Sequence, residues 1–124
     1  MTTPEIRLKR VHDDPSGEDG PRVLVDRLWP RGVSKERAAV DLWPKDVAPS
    51  PELRRLWHHD PERFEEFAAA YRAELADCPA AEALAELREQ LDGEPVATLL
   101  FAAKDRAINH AVVLAGVLAG RAGD

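Results

Sequence analysis

Three groups of residues could carry chemistry. The first is Asp26-Arg27-Leu28-Trp29-Pro30-Arg31-Gly32, where two arginines flank a tryptophan at the end of a strand-like segment. Guanidinium groups grip planar anions bidentately and stack on aromatic rings, so Asp26, Arg27, Trp29 and Arg31 are candidate ligand-binding residues. In an extended strand, Val25, Arg27 and Trp29 share one face and Leu24, Asp26 and Leu28 the other. A purely structural account pairs Asp26 with one arginine, sinks Trp29 into the core and leaves Arg31 in solvent.

The second group, Ala103-Lys104-Asp105-Arg106, joins an apolar segment to a helix. Backbone N–H groups and the helix dipole favour an anion at such a junction, and Lys104 adds charge. No glycine-rich phosphate loop accompanies it, so it is no nucleotide fingerprint. Capping by Asp105 beside two solvated cations is the simpler account. The third group is Asn109-His110. His110, Leu114 and Val117 fall on one helical stripe, with Arg106 one turn earlier, which turns His110 inward. An inward imidazole suits a neutral base or hydrogen-bonding group; a core histidine bonded to a carbonyl needs no function at all.

The remaining reactive types are weaker. Cys78 precedes Pro79 with no histidine near it in sequence, and His58-His59-Asp60 offers too few ligands for a metal. Ser34 and Ser50 read as helix N-caps rather than nucleophiles. No metal and no cofactor is expected.

These groups need a scaffold. Ile6–Val11 alternates apolar and basic residues, as a strand with one wet face does. Breakers Pro15, Gly17, Gly20 and Pro21 mark a loop, and Arg22–Leu28 reads as a second strand. Ser34–Ala39 reads as a short helical segment, and Asp41–Ser50, with two prolines, as ordered loop. Ser50-Pro51-Glu52 and Asp60-Pro61-Glu62 are helix starts. The helix from Asp60 to about Leu75 carries Phe64, Phe67, Ala68, Tyr71 and Leu75 on one face, and the next, Pro79 to Leu91, a Leu84-Leu87-Leu91 stripe stopped by Gly93. Val96–Ala103 is apolar enough for a central strand, and the last helix, from Asp105 or Ala107 to Leu118, is apolar nearly all round and so expected to be buried on more than one side. Strands separated by helices predict an α/β fold: a small, mostly parallel sheet flanked by helices in three layers, α/β/α.

Composition bounds the function. The chain has 124 residues, 44% hydrophobic and 32% charged, with a formal net charge of −6. That is one globular domain, residues 1–124, with its core at roughly 6–119. The acidic balance argues against a nucleic-acid partner, because phosphate-backbone affinity comes from many cations. One cysteine makes no internal disulfide, and no apolar run is long enough for a membrane, so cytoplasmic residence is expected.

Leu24–Gly32 (LVDRLWPRG), Asp41–Asp60 (DLWPKDVAPSPELRRLWHHD) and Leu99–Ala115 (LLFAAKDRAINHAVVLA), in this order, resemble the YeaO-like branch of an uncharacterised bacterial family, domain of unknown function 488. The resemblance spans roughly residues 6 to 119 and implies a compact three-layer α/β fold, cytoplasmic residence and no established activity. Other branches of that family carry Cys at the position of Phe101, an acid at Ala103, and Cys-His-Arg at Asn109-His110-Ala111. Only His110 of that set is present, so thiol chemistry does not carry over; Lys104 and Asn109 match the YeaO-like pattern.

Together these readings point to a site for a small anion, a phosphate or nucleotide fragment, at the strand C-termini. It would be built from Asp26, Arg27, Trp29, Arg31, Lys104, Asn109 and His110. In an enzyme, His110 is the candidate base, with Arg31 and Lys104 stabilising charge. The competing reading is a non-catalytic module whose tryptophans, prolines and arginines present a surface to protein or single-stranded nucleic acid. A third gives Trp29, Trp43 and Trp57 only the task of locking a long loop onto the core. Oligomeric state is open.

Overall fold

Val96–Phe101, apolar except for Thr98, becomes the middle strand because both of its edges are paired and nearly all of it is buried. In the computed structural model, which describes residues 4–57, 60–105 and 109–119, three strands form one all-parallel sheet. These are β1 (Glu5–Arg10), β2 (Arg22–Leu24) and β3 (Val96–Phe101), in the order β1-β3-β2. Glu5 lies opposite Val96 and Arg10 opposite Phe101, while Arg22 and Leu24 lie opposite Thr98 and Leu100. The fold is α/β.

β2 is shorter than the sequence predicts. The ladder runs one residue past Leu24, with Val25 N–H donating to Leu100 O at 3.0 Å. It then stops, because the Asp26 carboxylate takes the Ala102 N–H at 3.0 Å and the chain bends away. The alternation expected through Trp29 therefore ends at Val25. Beyond β2, Leu42 forms an isolated parallel bridge with Val23, so part of the expected loop borders the sheet.

Among the described residues the α-helices are α1 (Lys35–Ala38), α2 (Pro51–Trp57), α3 (Phe64–Leu75), α4 (Ala80–Leu91) and α5 (His110–Ala119). Ser34 and Ser50 are the N-caps their sequence suggests: the Ser34 hydroxyl accepts Arg37 N–H at 3.1 Å and that of Ser50 accepts Leu53 N–H at 3.2 Å. Asp60 caps a 3-10 turn, Pro61–Arg63, that leads into α3, so that helix begins later than predicted. α5, as described, begins at His110 with Asn109 as its cap, accepting Val112 N–H at 3.0 Å.

The sheet is flanked on both faces, unequally. Val23, Val25, Ala97, Leu99 and Phe101 meet the buried sides of α2 to α5 in one large core. Each fully buried leucine there contributes roughly 1.5–3 kcal/mol relative to exposure. The other face holds Leu24 and Leu100 under α1 and the half-buried rings of Trp29 and Trp43. Within the main core the Tyr71 hydroxyl donates to Val47 O, and burial pushes its pKa well above the usual phenol value. α5 is less enclosed than predicted: Ala111, Val113, Leu114 and Leu118 are buried, but Gly116 and Ala119 are exposed. No described helix is long and apolar enough to cross a membrane.

The strap from β1 to β2 carries no helix. It is fastened by Asp19, whose carboxylate accepts Lys9 Nζ at 3.1 Å, Ser16 N–H at 3.0 Å and Arg22 Nη1 at 2.5 Å. Burial opposes ionisation of Asp19, but these donors outweigh it and hold the carboxyl below the usual range. Gly20 follows at φ +63, and a Cβ there would collide with the Val96 carbonyl, so only glycine fits.

Candidate functional site

Open α/β sheets hold ligands outside the carboxyl ends of their strands. Here the segments leaving β2 and β3 enclose a cleft of about 310 Å³. Asp26 to Pro30 form one wall, and Ala102, Ala103 and His110 a second. Ala48 and Pro49 with Arg54, Trp57 and Phe67 close the third side. Arg10 steadies the second wall, donating from Nε to Ala103 O at 3.1 Å and from Nη2 to Ala102 O at 3.3 Å.

Asp26 and His110 form the polar centre. Asp26 Oδ2 accepts the Ala102 amide, joining the two strand exits. Oδ1 lies 2.9 Å from His110 Nε2, and that nitrogen lies 3.1 Å from Val25 O. The alignment favours the carbonyl, leaving Oδ1 buried without a hydrogen bond of its own. Two acceptors facing one ring nitrogen require Nε2 to carry a proton. Both side chains are over four-fifths buried, at 13% and 17% exposure, so water does not compete for these contacts.

The other expected residues have mixed placements. Arg27 lines the cleft but is turned toward the neighbouring loop, donating to Ala48 O at 3.0 Å and lying 3.7 Å from Asp46. Trp29 also lines it, with its indole N–H on Val33 O at 2.7 Å and its ring edge-on to Trp43 at 5.5 Å. Arg31 and Lys104 are exposed, stand outside the lining and have no polar partner among the described residues. Asn109 is fully buried as the α5 cap, and its Nδ2 donates to Asp105 O at 2.8 Å. The cleft thus gathers Asp26, Arg27, Trp29 and His110, but not Arg31, Lys104 or Asn109. Arg106, His58 and His59 lie outside the described residues.

The sequence reading passed over Arg54. It is exposed, lies one helical turn before Trp57 on α2, and lines the cleft with no acidic partner among the described residues. The signal was the i, i+3 spacing of a cation and an aromatic, which places both on one side of a helix. The N–H groups of Arg27, Leu28 and Trp29 also lack acceptors among the described residues. By contrast, all three indole N–H groups are spent on backbone carbonyls, Val33 O, Asp26 O and Asp60 O. No group of three His, Cys, Asp or Glu among the described residues could hold a metal.

Known proteins resemble most of the chain. An uncharacterized protein of Mycobacterium tuberculosis is 52% identical over 116 residues, covering 94% of this chain and 95% of the relative. The uncharacterized protein YeaO of Escherichia coli is 43% identical over 111 residues, covering 89% of this chain and 93% of its own. No solved structure matches. Residues 5–123 match the family model DUF488-N3i, described as the inactive DUF488-N3 subclade, and to that family this chain belongs.

Proposed function

We propose that the cleft at the carboxyl edge of the sheet binds a small anion, a phosphate or nucleotide fragment, without transforming it. The observation that carries this reading is Arg54, an exposed guanidinium in the cleft lining with no acidic partner among the described residues, in a cleft whose Arg27, Leu28 and Trp29 amides also lack acceptors among those residues. A phosphate or carboxylate satisfies both at once. Trp29, Leu28, Pro49 and Trp57 supply apolar wall for the rest of the ligand. Arg31 and Lys104, exposed nearby in sequence, contribute attraction through solvent rather than contact. The lone exposed Cys78 suits a reducing cytoplasm as the place of work.

Two features favour binding over catalysis. Among the described residues the cleft lining holds no hydroxyl, thiol or amine to act as nucleophile, and the family model is described as inactive. A catalytic reading, with His110 as base toward water and Arg31 and Lys104 offsetting charge, rests on the place of His110 in the cleft lining alone. The test is thermal denaturation with inorganic phosphate and nucleoside monophosphates. A ligand at a hundred times its Kd stabilises by about 2.7 kcal/mol. Wild type should gain stability and Arg54→Ala should not; equal behaviour of the two chains refutes the assignment.

A further inference from the structure

We propose that the outer edge of β1 joins two copies of this chain by antiparallel strand addition centred on Ile6. The sheet has two edges, and the fold closes one of them. Along β2, Arg22 N–H donates to Asp41 Oδ2 at 2.9 Å, Leu24 N–H to Leu42 O at 2.9 Å, and Leu42 N–H to Arg22 O at 3.1 Å. β1 lacks such cover among the described residues. Glu5 N–H on Pro95 O and Val11 N–H on Phe101 O set its ladder to β3 on odd-numbered residues. The N–H and C=O of Ile6, Leu8 and Arg10 therefore point away from the sheet. Asp13 takes both groups of Arg10: its carboxylate accepts the amide at 2.9 Å, and its own amide donates to Arg10 O at 2.8 Å. The outward groups of Ile6 and Leu8 have no partner among the described residues, and the register runs through them without a bulge. Such an edge is a template for another strand.

Charge complementarity selects the partner. A two-fold axis normal to the sheet keeps every side chain on its own face, so an odd-numbered residue meets an odd-numbered one and an even an even. Centred on Ile6, the two Ile6 residues exchange hydrogen bonds, and Leu8 falls opposite Pro4, which offers a carbonyl and no N–H. Glu5 then faces Arg7 of the second copy, twice over, at non-hydrogen-bonded positions where side chains approach most closely. Both side chains are exposed and already paired within one chain at 2.5 Å, so the dimer closes a ring of alternating charge. Centring on Arg7 instead sets that residue against itself, and centring on Leu8 sets Arg7 against Lys9. Like charges directly opposed are destabilising, so the Ile6 register is favoured. A contact over Pro4–Leu8 alone falls short of the roughly 1,200 Å² of a standard interface, which makes the dimer weak and concentration-dependent.

The test is sedimentation velocity of the full chain in low salt, from about 10 μM to about 1 mM, with amide exchange followed by NMR at both ends of that range. Wild type should shift from monomer toward dimer, and the Ile6 and Leu8 amides should exchange more slowly at the higher concentration. Arg7→Glu and Glu5→Arg each set like charges opposite one another and should weaken the dimer about tenfold. Both positions are exposed, so thermal unfolding of the dilute variants should match wild type. Mixed together, the two variants again place acid opposite base across the two-fold and should pair at least as tightly as wild type. Loss of the intrachain Glu5–Arg7 pair, which both variants share, cannot produce that rescue. A chain that stays monomeric throughout the range, Ile6 and Leu8 amides indifferent to concentration, tighter association of Arg7→Glu by itself, or a mixture no tighter than its components overturns the proposal.

Discussion

Asp19 and Asp26 are carboxylates on either side of β2, and the molecule completes them differently. Asp19, within the strap, has cations and an amide on its oxygens, and its main-chain carbonyl accepts the Thr98 hydroxyl at 2.8 Å. Asp26 has one amide on one oxygen, while the other faces a histidine that is already bonded elsewhere. A carboxylate with donors on both oxygens fastens a loop, even though Arg22 Nη2 beside it is left buried without a hydrogen bond. A carboxylate with an oxygen left over, bordering a cleft with an arginine that has no acidic partner among the described residues, keeps capacity in reserve for something that arrives.

The largest expected difference is in stability. Asp19→Ala strands the guanidinium of Arg22, only 3% exposed, and should cost about 3–5 kcal/mol. Asp26→Ala removes one amide bond and an oxygen that had no hydrogen bond, so about 1–3 kcal/mol is expected. Urea unfolding of both variants checks the order, and equal losses would dissolve the contrast.

Next in size is acid sensitivity. The Asp19 carboxyl is held below its ordinary value of about 3.9, so its stabilisation is complete above that pH. It is lost as pH falls through the lower folded value. Asp19→Asn should be less stable at neutral pH and show a flatter stability profile between about pH 5 and about pH 2. A variant profile parallel to that of wild type would contradict the network's electrostatic role. The smallest effects belong to Arg31→Ala and Lys104→Ala. Each should change stability by less than about 0.5 kcal/mol. Each should lower anion affinity by less than about threefold, an effect that vanishes in salt beyond about 0.5 M. A loss matching that of Arg54→Ala would return these residues to the binding surface.

Much of the scaffold was legible in the sequence because its signals are local. The apolar run of β3, the alternation of β1, the Ser34 and Ser50 caps and the Leu84-Leu87-Leu91 stripe all follow from periodicity and capping. Helical spacing also turned His110 inward. What escaped depends on partners distant in the chain. β2 ends early because Asp26 finds an amide on β3, and no pattern in Arg22–Leu28 announces that. Asn109 looks like a ligand-binding amide until the helix boundary makes it a cap. Arg54, between two other helical residues of ordinary type, resembles a solvated surface cation until Trp57 and the strand exits stand beside it.

The order β1-β3-β2 also governs when this protein can assemble. β1 and β2 are encoded early, yet neither pairs with the other; both take β3, late in the sequence, as their shared strand partner, and without it β2 has the bridge to Leu42. A nascent polypeptide leaving the ribosome therefore holds two strands without their shared central partner until the segment carrying β3 emerges. Distant pairing of this kind slows folding, because the chain entropy of closure is lost before any contact offsets it. Truncation ahead of Val96 should leave isolated helices and no sheet at all.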